Sequence, residues 1–383
     1  MFLAHKARAL WAFTLLFMWG QIKLYLKNLD WLLFSAILLL AIFGLVEIYS
    51  IALGQGGENF LNFQKQIGFI ILGTVALLSL SFIDFQFLKS INRYLYIGAI
   101  LILLAVLVVG DTINGTKGWF NVFGFGIQPV EVVKIVLIIF LARMFSTATF
   151  KTRPLKYFVL SGLATLGLVA LVLVQPDFGS ALILSFIWVF MLIVAGFNKR
   201  YFIIIFLGAA IIFTSAWLFF FQDYQKERIM TFLNPTHNSL DQGYNMSQAI
   251  IAVGSGGITG RGVGFGSQSQ LKFLPESHTD FIFAVIGEEL GFMGVTLLFL
   301  FYGIFFFRSV AAIRKSKDDF AIFFILGSLG LIFVEMFINI GMNIGIMPVV
   351  GIALPFISYG GSSIIATFML IGIIQNIIIK SKI

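Results

Sequence analysis

The densest group of ionisable residues in the sequence lies where a polar stretch meets an apolar one. Residues 273–283 read Phe-Leu-Pro-Glu-Ser-His-Thr-Asp-Phe-Ile-Phe, so Glu276, His278 and Asp280 stand close together along the chain. A carboxylate that is partly shielded from water at such a junction can accept a proton from a substrate as a general base. The same spacing fits the start of a helix, because Thr279 or Asp280 can cap the free backbone N–H groups there. Spacing alone leaves both interpretations open.

A second group of charges lies inside an apolar segment, directly after Gln128-Pro129. Glu131 and Lys134 are one helical turn apart, so they share a face and can pair. Charged residues within membrane helices usually line a cavity or a pathway; an ion pair that fixes helix packing is the equally weighted alternative. Two later apolar segments carry further candidates for the same cavity, namely Glu288, Glu289, Glu335, Asn339 and Asn343. The two asparagines are four residues apart and can instead hydrogen-bond across a helix contact.

The elements that must position these residues are membrane helices. The chain is 60% hydrophobic and 11% charged, whereas soluble domains are about 45–50% apolar and about 25% charged. Segments apolar and long enough to cross a bilayer recur along the whole chain. They are residues 31–53, 66–83, 94–110, 127–146, 157–174, 180–197, 201–221, 280–307, 319–346 and 356–379. The sequence therefore predicts an all-α integral membrane protein of about ten transmembrane helices, with residues 1–383 as a single polytopic domain.

The distribution of Lys and Arg predicts the orientation of these spans. With the N-terminus in the cytoplasm most of these cations fall on the inner side, as the positive-inside rule requires. The outer side keeps Lys65, Lys117, Lys226, Arg228, Arg261 and Lys272. Both termini are thus predicted to be cytoplasmic, with residues 1–30 as a cytoplasmic or interfacial segment, and the net charge of +8 is attributed to topology rather than to nucleic-acid binding. The absence of Cys excludes disulfides, zinc–thiolate sites and catalytic thiols.

This orientation places one long extracytoplasmic loop, residues 222–279, between the seventh and eighth spans. Its many glycines fit either tight turns or a nest of backbone N–H groups that binds an anion. Arg228, Arg261 and Lys272 lie on this loop against the general charge bias, and an anionic ligand would explain them. The last outer loop ends in residues 358–363, Ser-Tyr-Gly-Gly-Ser-Ser, which fit either close helix packing or contact with a polar substrate.

Together these motifs resemble the SEDS family, the multi-spanning polymerases of bacterial cell-wall peptidoglycan. The resemblance runs from about residue 30 to the C-terminus. It rests on Phe273-Leu274-Pro275-Glu276 with His278-Thr279-Asp280-Phe281, on Gln175-Pro176-Asp177, on Gln128-Pro129 with Glu131, and on residues 354–363. Residues 266–270 and 339–342 are more similar to the RodA branch, which serves elongation, than to the FtsW branch of division. The departures are Val130 where Ser is common, Ser277 where Arg is common, and Lys117-Gly118-Trp119 where many members have Arg-Trp.

The resemblance implies polymerisation of lipid II, a lipid-linked disaccharide pyrophosphate, at the outer face of the bacterial cytoplasmic membrane. It implies that Asp280 is the general base, the ligand of a divalent cation (Mg²⁺ or Mn²⁺), or both, without an organic cofactor. The residues expected to bind substrate are Lys117, Trp119, Glu131, Lys134, Arg228, Glu276, His278 and Ser358. The expected partner is a class B penicillin-binding protein, a transpeptidase. The alternative functions are a division-specific polymerase, a flippase or transporter of lipid-linked sugars, and a non-enzymatic scaffold.

Overall fold

The computed structural model describes residues 25–54, 60–113, 115–122, 124–150, 152–219 and 242–382, together with the single residues Lys226 and Met230. Both chain ends and Arg228 lie outside these ranges, as does most of the first part of the long loop. The predicted cytoplasmic termini and the outward orientation of the loop therefore stay predictions.

The described residues form a helical bundle. Its helices are α1 Trp31–Gly54, α2 Phe60–Phe82, α3 Phe85–Val109, α4 Val130–Phe145, α5 Pro154–Val174, α6 Phe178–Val194, α7 Lys199–Phe219, α8 Gln242–Ser255, α9 Ser267–Gln270, α10 Ile282–Lys315, α11 Asp319–Asn343 and α12 Gly361–Lys382. A single 3-10 turn spans Ala148–Phe150. Eight of these helices are long and apolar enough to cross a membrane, and α4 and α6 are shorter, with 16 and 17 residues. Each of the ten predicted segments thus coincides with a helix, and the all-α membrane fold is confirmed.

Several helix boundaries differ from those predicted. Helix α3 begins at Phe85 rather than at residue 94, because Asp84 caps it by accepting a hydrogen bond from the Gln86 backbone N–H. The charged residues that were predicted to form a loop instead form the first turns of α3. There the Lys89 ammonium lies 2.8 Å from the Asp318 carboxylate. Helix α12 begins at Gly361 rather than at residue 356. Hydropathy therefore missed the polar first turns of α3 and extended α12 into the apolar loop that precedes it.

A small sheet between α3 and α4 was not predicted. Its strands are β1 Asp111–Ile113, β2 Thr116–Val122 and β3 Phe125–Ile127, and they pair antiparallel in the order β1-β2-β3. The turns contain Gly115 and Gly124, both with a φ of 81°, a conformation that side chains with a Cβ rarely adopt. Strand β3 packs against α12, and β2 packs against α3. The sheet therefore forms a wall beside the first turns of α4 and α12.

Helix α10 is broken at Gly291, whose φ of 62° and ψ of −158° are not helical. A Cβ at this position would come within 2.3 Å of the Gly260 backbone nitrogen, so only glycine fits. The backbone carbonyls of Glu288 and Glu289 beside the break accept hydrogen bonds from the N–H groups of Arg261 (3.0 Å) and Gly262 (2.9 Å). The break thus divides α10 into a half-helix, residues 282–290, and a longer part, residues 292–315. The long loop satisfies the backbone groups that the break exposes.

Candidate functional site

A cavity of about 850 Å³ opens at the end of the bundle where α4, α6 and α12 begin. The small sheet forms one wall, and the turns at 276–280 and 349–353 form another. Its polar lining consists of Lys65, Thr116, Gln128, Glu131, Lys134, Asp177, Ser180, Glu276, Thr279, Asp280, Glu335, Tyr359, Ser362 and Ser363, and its aromatic lining includes Trp119 and Phe125. A volume of roughly 300–1,000 Å³ is typical of ligand-binding sites. Asp280, Glu276, Trp119, Glu131 and Lys134 therefore line one cavity together.

Asp280 lines the cavity immediately before the half-helix of α10. Its backbone carbonyl accepts hydrogen bonds from the side-chain amides of Asn339 and Asn343, each at 3.0 Å. Asn343 also accepts a hydrogen bond from the Ala284 N–H, at 3.0 Å, through its side-chain oxygen. These two asparagines are fully buried and do not line the cavity, so their role across a helix contact is confirmed. Helix α11 thereby fixes the backbone at the proposed catalytic residue.

Neither Thr279 nor Asp280 is the N-cap residue of α10. The N-cap is Phe281, and the Ala284 N–H in the first turn donates to the Asn343 side chain. The Thr279 hydroxyl instead donates to the Glu276 carboxylate at 2.9 Å. The backbone carbonyl of Glu276 accepts from the N–H groups of Thr279 (3.1 Å) and Phe281 (3.3 Å). The turn is closed by its own backbone, and Asp280 lines the cavity at its end.

Ser358 and His278 do not line the cavity. They form hydrogen bonds that hold the turn at 276–280 in place. The Ser358 hydroxyl donates to the Thr279 carbonyl at 2.7 Å and accepts from the Leu354 N–H at 2.8 Å. The carbonyl of His278 accepts from the Tyr359 N–H at 2.8 Å. Burial lowers the pKa of the His278 imidazole, and the nearby Glu276 carboxylate opposes this shift only in part. His278 is therefore neutral at pH 7 and adds no positive charge to the site.

Three charged side chains form the floor of the cavity. The ammonium of Lys134 lies 2.9 Å from both carboxylate oxygens of Glu131 and 2.7 Å from Glu335. The side chains of Lys134 and Glu335 are each only 6% exposed. Both interpretations of the Glu131–Lys134 pair hold, since these residues line the cavity and also connect α4 to α11.

Glu288 and Glu289 do not line this cavity. Both are fully buried, and their carboxylates accept hydrogen bonds from the loop between α8 and α9 and from α9 itself. The expectation that they share a cavity with Glu335 is therefore wrong. The break at Gly291 explains the difference, because it brings the loop against the end of the half-helix.

Lys65 is a lining residue that sequence reasoning missed. It lies near the start of α2, with its ammonium 5.7 Å from the centre of the Phe125 ring. Lys134 is held by Glu131 and Glu335, so among the described lining residues Lys65 is the lysine without an ion pair. Its position among the few outer-side cations was the signal that could have identified it.

The other predicted cations are placed differently. Lys117 lies half-buried on β2, beside the lining residues Thr116 and Trp119 but not among them. Arg228 lies outside the described residues. Arg261 donates to the Ser267 hydroxyl at 2.7 Å, and the side chain of Lys272 is exposed on the loop. Neither of the last two lines the cavity.

Among the described residues, the protein supplies only a few of the ligands that a divalent cation needs. No group of three or more His, Cys, Asp or Glu side chains among them is arranged to hold a metal ion. Asp280 and Glu276 do line the cavity together, and the Thr279 hydroxyl lies between them in sequence. Mg²⁺ is commonly held by one or two carboxylates, with phosphate oxygens and water completing its shell. The donor set therefore suits a cation that is shared with a phosphate-bearing ligand rather than one in a closed protein cage.

Comparison with known proteins identifies relatives over nearly the whole chain. Residues 30–383 match the family model of FtsW, RodA and SpoVE, which is described as cell cycle protein. The chain is 34% identical over 377 residues to a probable peptidoglycan glycosyltransferase FtsW of Geobacter metallireducens, with 94% of this chain and 98% of that protein covered. It is also 34% identical over 359 residues to the peptidoglycan glycosyltransferase MrdB of Escherichia coli, with 91% and 93% covered.

The fold agrees with these sequence matches. One chain of a solved structure, described as a peptidoglycan synthase complex that coordinates polymerization and crosslinking, superposes with a TM-score of 0.78 at 29% identity. The superposition covers 92% of this chain and 98% of that chain. The resemblance noted in the sequence is thereby confirmed, and the chain belongs to the SEDS family of multi-pass bacterial inner-membrane proteins, which includes FtsW, RodA and SpoVE.

Proposed function

We propose that this protein is a peptidoglycan glycosyltransferase that polymerises lipid II into glycan strands at the outer face of the membrane. The observation that carries the proposal is that one cavity of about 850 Å³ is lined by Asp280 and by Lys65, a lysine without an ion pair among the described residues. The cavity lies at the end of the bundle that the charge distribution predicts to face outward. A sugar-pyrophosphate head group can enter such a cavity from there while its lipid tail stays in the bilayer. The relatives named as peptidoglycan glycosyltransferases support the same activity.

The proposed mechanism uses Asp280 as the general base. As the acceptor hydroxyl attacks the sugar carbon of the donor, the new C–O bond forms, the bond to the pyrophosphate oxygen breaks, and the hydroxyl proton passes to the Asp280 carboxylate. Lys65 binds the pyrophosphate of the donor through its charge, both before and during the reaction. A divalent cation held by Asp280 and the pyrophosphate would supply further charge stabilisation. Asn339 and Asn343 hold the Asp280 backbone in place through this step.

For the biological role we propose the elongation branch. Residues 266–270 and 339–342 support it, whereas the relatives from the FtsW and MrdB groups are equally identical to this chain. The proposed partner is a class B penicillin-binding protein, in keeping with the similar structure of a complex that combines polymerization and crosslinking. Depletion of the protein is expected to make rod-shaped cells round; filamentous cells without septa would instead assign it to division.

A paired assay tests the activity. The purified protein is placed in vesicles with lipid II, Mg²⁺ and its transpeptidase partner, and both glycan polymer and the transfer of lipid II across the bilayer are measured. We expect polymer to form without the transfer of lipid II. Transfer without polymer would replace the polymerase with a flippase, and neither activity with the partner bound would favour a scaffold.

Lys65→Met is expected to raise the KM for lipid II by roughly tenfold, because the cavity loses its unpaired cation. Lys65→Arg should retain most of the affinity, since it keeps the charge. The matched control is Lys272→Met, which removes a cation from the exposed loop outside the cavity. Steady-state polymerisation at low and high salt checks the prediction: the wild type should lose affinity with salt more steeply than Lys65→Met. Equal KM values for the Lys65→Met and Lys272→Met variants would contradict it.

A further inference from the structure

A buried carboxylic acid in α1 has no evident partner. The side chain of Glu47 is fully buried, with 0% exposure. Neither of its carboxylate oxygens has a hydrogen-bond partner within the part of the chain that the structure describes. An ionised carboxylate in such a place loses its hydration without compensation, at a cost of several kcal/mol or more. Glu47 is therefore neutral and holds its proton.

Glu47 lies close to Glu289, on the half-helix of α10, because Ser50, one turn after Glu47, donates to the Glu289 carboxylate. Unlike the Glu47 carboxylate, the Glu289 carboxylate is hydrogen-bonded, because each of its oxygens accepts from two donors. The Oε1 atom accepts from the Ser269 hydroxyl at 2.9 Å and from the Gln270 amide at 3.1 Å. The Oε2 atom accepts from the Gly264 N–H at 3.0 Å and from the Ser50 hydroxyl. Four donors and no acceptor therefore surround the Glu289 carboxylate.

The other elements packed against α1 do not change this balance. Helix α9 has the sequence Ser-Gln-Ser-Gln and carries no ionisable group. Helix α2 carries Lys65, whose ammonium lies at the Phe125 ring in the cavity. On α10, the Glu288 carboxylate accepts from the N–H groups of Gln268 (2.9 Å) and Ser269 (3.1 Å), and Arg308 is paired with Asp30 near the start of α1. The cations Lys65 and Arg308 are thus engaged elsewhere, as is Arg261, which donates to the Ser267 hydroxyl.

Glu289 connects three parts of the protein. Through Ser50 it is joined to α1, and through Gly264, Ser269 and Gln270 it holds the segment of residues 262–270. Glu289 itself belongs to the half-helix that begins two residues after Asp280. A change in the charge beside Glu289 therefore acts on the element that carries the proposed base.

We propose that Glu47 is a positioning residue for the reaction at Asp280. Its neutral carboxyl lets the Glu289 carboxylate keep its hydrogen bonds to segment 262–270, and loss of the Glu47 proton to water weakens that attachment. A negative charge at Glu47 in a water-poor site acts strongly on the neighbouring carboxylate, so the present arrangement around Glu289 does not persist when Glu47 is ionised. This inference rests on the proposed polymerase function for its activity readout, and on the packing around Glu289 for its structural readout.

The experiment compares the full-length wild type with Glu47→Gln and Glu47→Met. Both variants keep position 47 neutral at every pH, and Met does so without an amide that needs partners. Polymerisation of lipid II is measured from neutral to alkaline pH with the transpeptidase partner present. We expect the wild-type rate to fall by about fivefold over about two pH units above neutrality, and the variants to stay within about twofold of their neutral rate.

Hydrogen exchange provides the readout that does not depend on activity. After correction for the intrinsic pH dependence of exchange, peptides covering residues 262–270 should exchange faster at alkaline pH in the wild type but not in either variant. Peptides from α12 serve as the internal reference. The same pH dependence of exchange and of rate in all three proteins would overturn the inference. A wild type with no polymerase activity at any pH would overturn the proposed function instead, and exchange would then still decide the role of Glu47.

Discussion

Asp280→Asn is expected to reduce the rate of glycan polymerisation by roughly 10²–10⁴-fold, the usual contribution of a positioned general base. Asn keeps the size and shape of the side chain but cannot accept the proton of the attacking hydroxyl. The fold should persist, because the contacts from Asn339 and Asn343 are made to the backbone carbonyl of Asp280 and not to its side chain. The measurement is polymer formation from lipid II by protein whose thermal unfolding midpoint matches that of the wild type.

The matched control for this prediction is Glu276→Gln. Glu276 lines the same cavity in the same turn and accepts from the Thr279 hydroxyl, so its variant changes one charge at nearly the same place. We expect it to retain far more activity than Asp280→Asn. Comparable losses in both variants would mean that the total negative charge of the turn matters, for instance to a shared cation, rather than a proton transfer to Asp280.

Lys134→Met is expected to destabilise the protein by about 3–5 kcal/mol, the usual result of breaking a buried ion pair from one side. The lysine lies 2.9 Å from Glu131 and 2.7 Å from Glu335, and its side chain is 6% exposed. Without it two carboxylates remain at the cavity floor with no compensating charge. Thermal unfolding in detergent should show a clearly lower midpoint, and polymerisation should fall with it.

Two further variants separate the cause of this loss. Replacing both carboxylates as well, in the triple variant Lys134→Met, Glu131→Gln and Glu335→Gln, should recover much of the stability because no buried charge is left unpaired. Lys89→Met breaks the pair with Asp318, whose side chains are 21% and 26% exposed, and should cost about 1 kcal/mol or less. A midpoint of Lys134→Met no lower than that of Lys89→Met would show that the triad is not a buried electrostatic unit.

The number and type of the main helices could be predicted because lipid imposes a simple requirement. A span needs a long apolar run in which every backbone group bonds within the segment, and each of the ten runs is indeed a helix. Where polar residues continue a helix beyond the bilayer, as at Lys89 in α3, hydropathy carries no signal. The sheet at 111–127 was missed because its strands of three to seven residues are too short for a periodic pattern.

The cavity was predictable only in part, for a different reason. Asp280, Glu131 and Lys134 stand out because charges next to or within apolar sequence are costly and need a cause. Lys65 belongs to an ordinary helix start, and only the approach of the sheet brings it to the cavity. The placement of Glu288 and Glu289 depended on a backbone break at Gly291 that no composition argument predicts. Pairs formed by residues distant in sequence thus required the structure.

The break in α10 also determines how the protein responds to the bilayer around it. Membrane helices adjust to a thicker or thinner bilayer by changing their tilt. Residues 292–315 can adjust in this way. The half-helix at 282–290 accepts hydrogen bonds from Arg261 and Gly262 and donates one to Asn343, and the same loop accepts from Phe292 and Met293 at the start of the longer part. Gly291 therefore interrupts the continuous helix through which a change in the tilt of residues 292–315 would otherwise reach Asp280 directly.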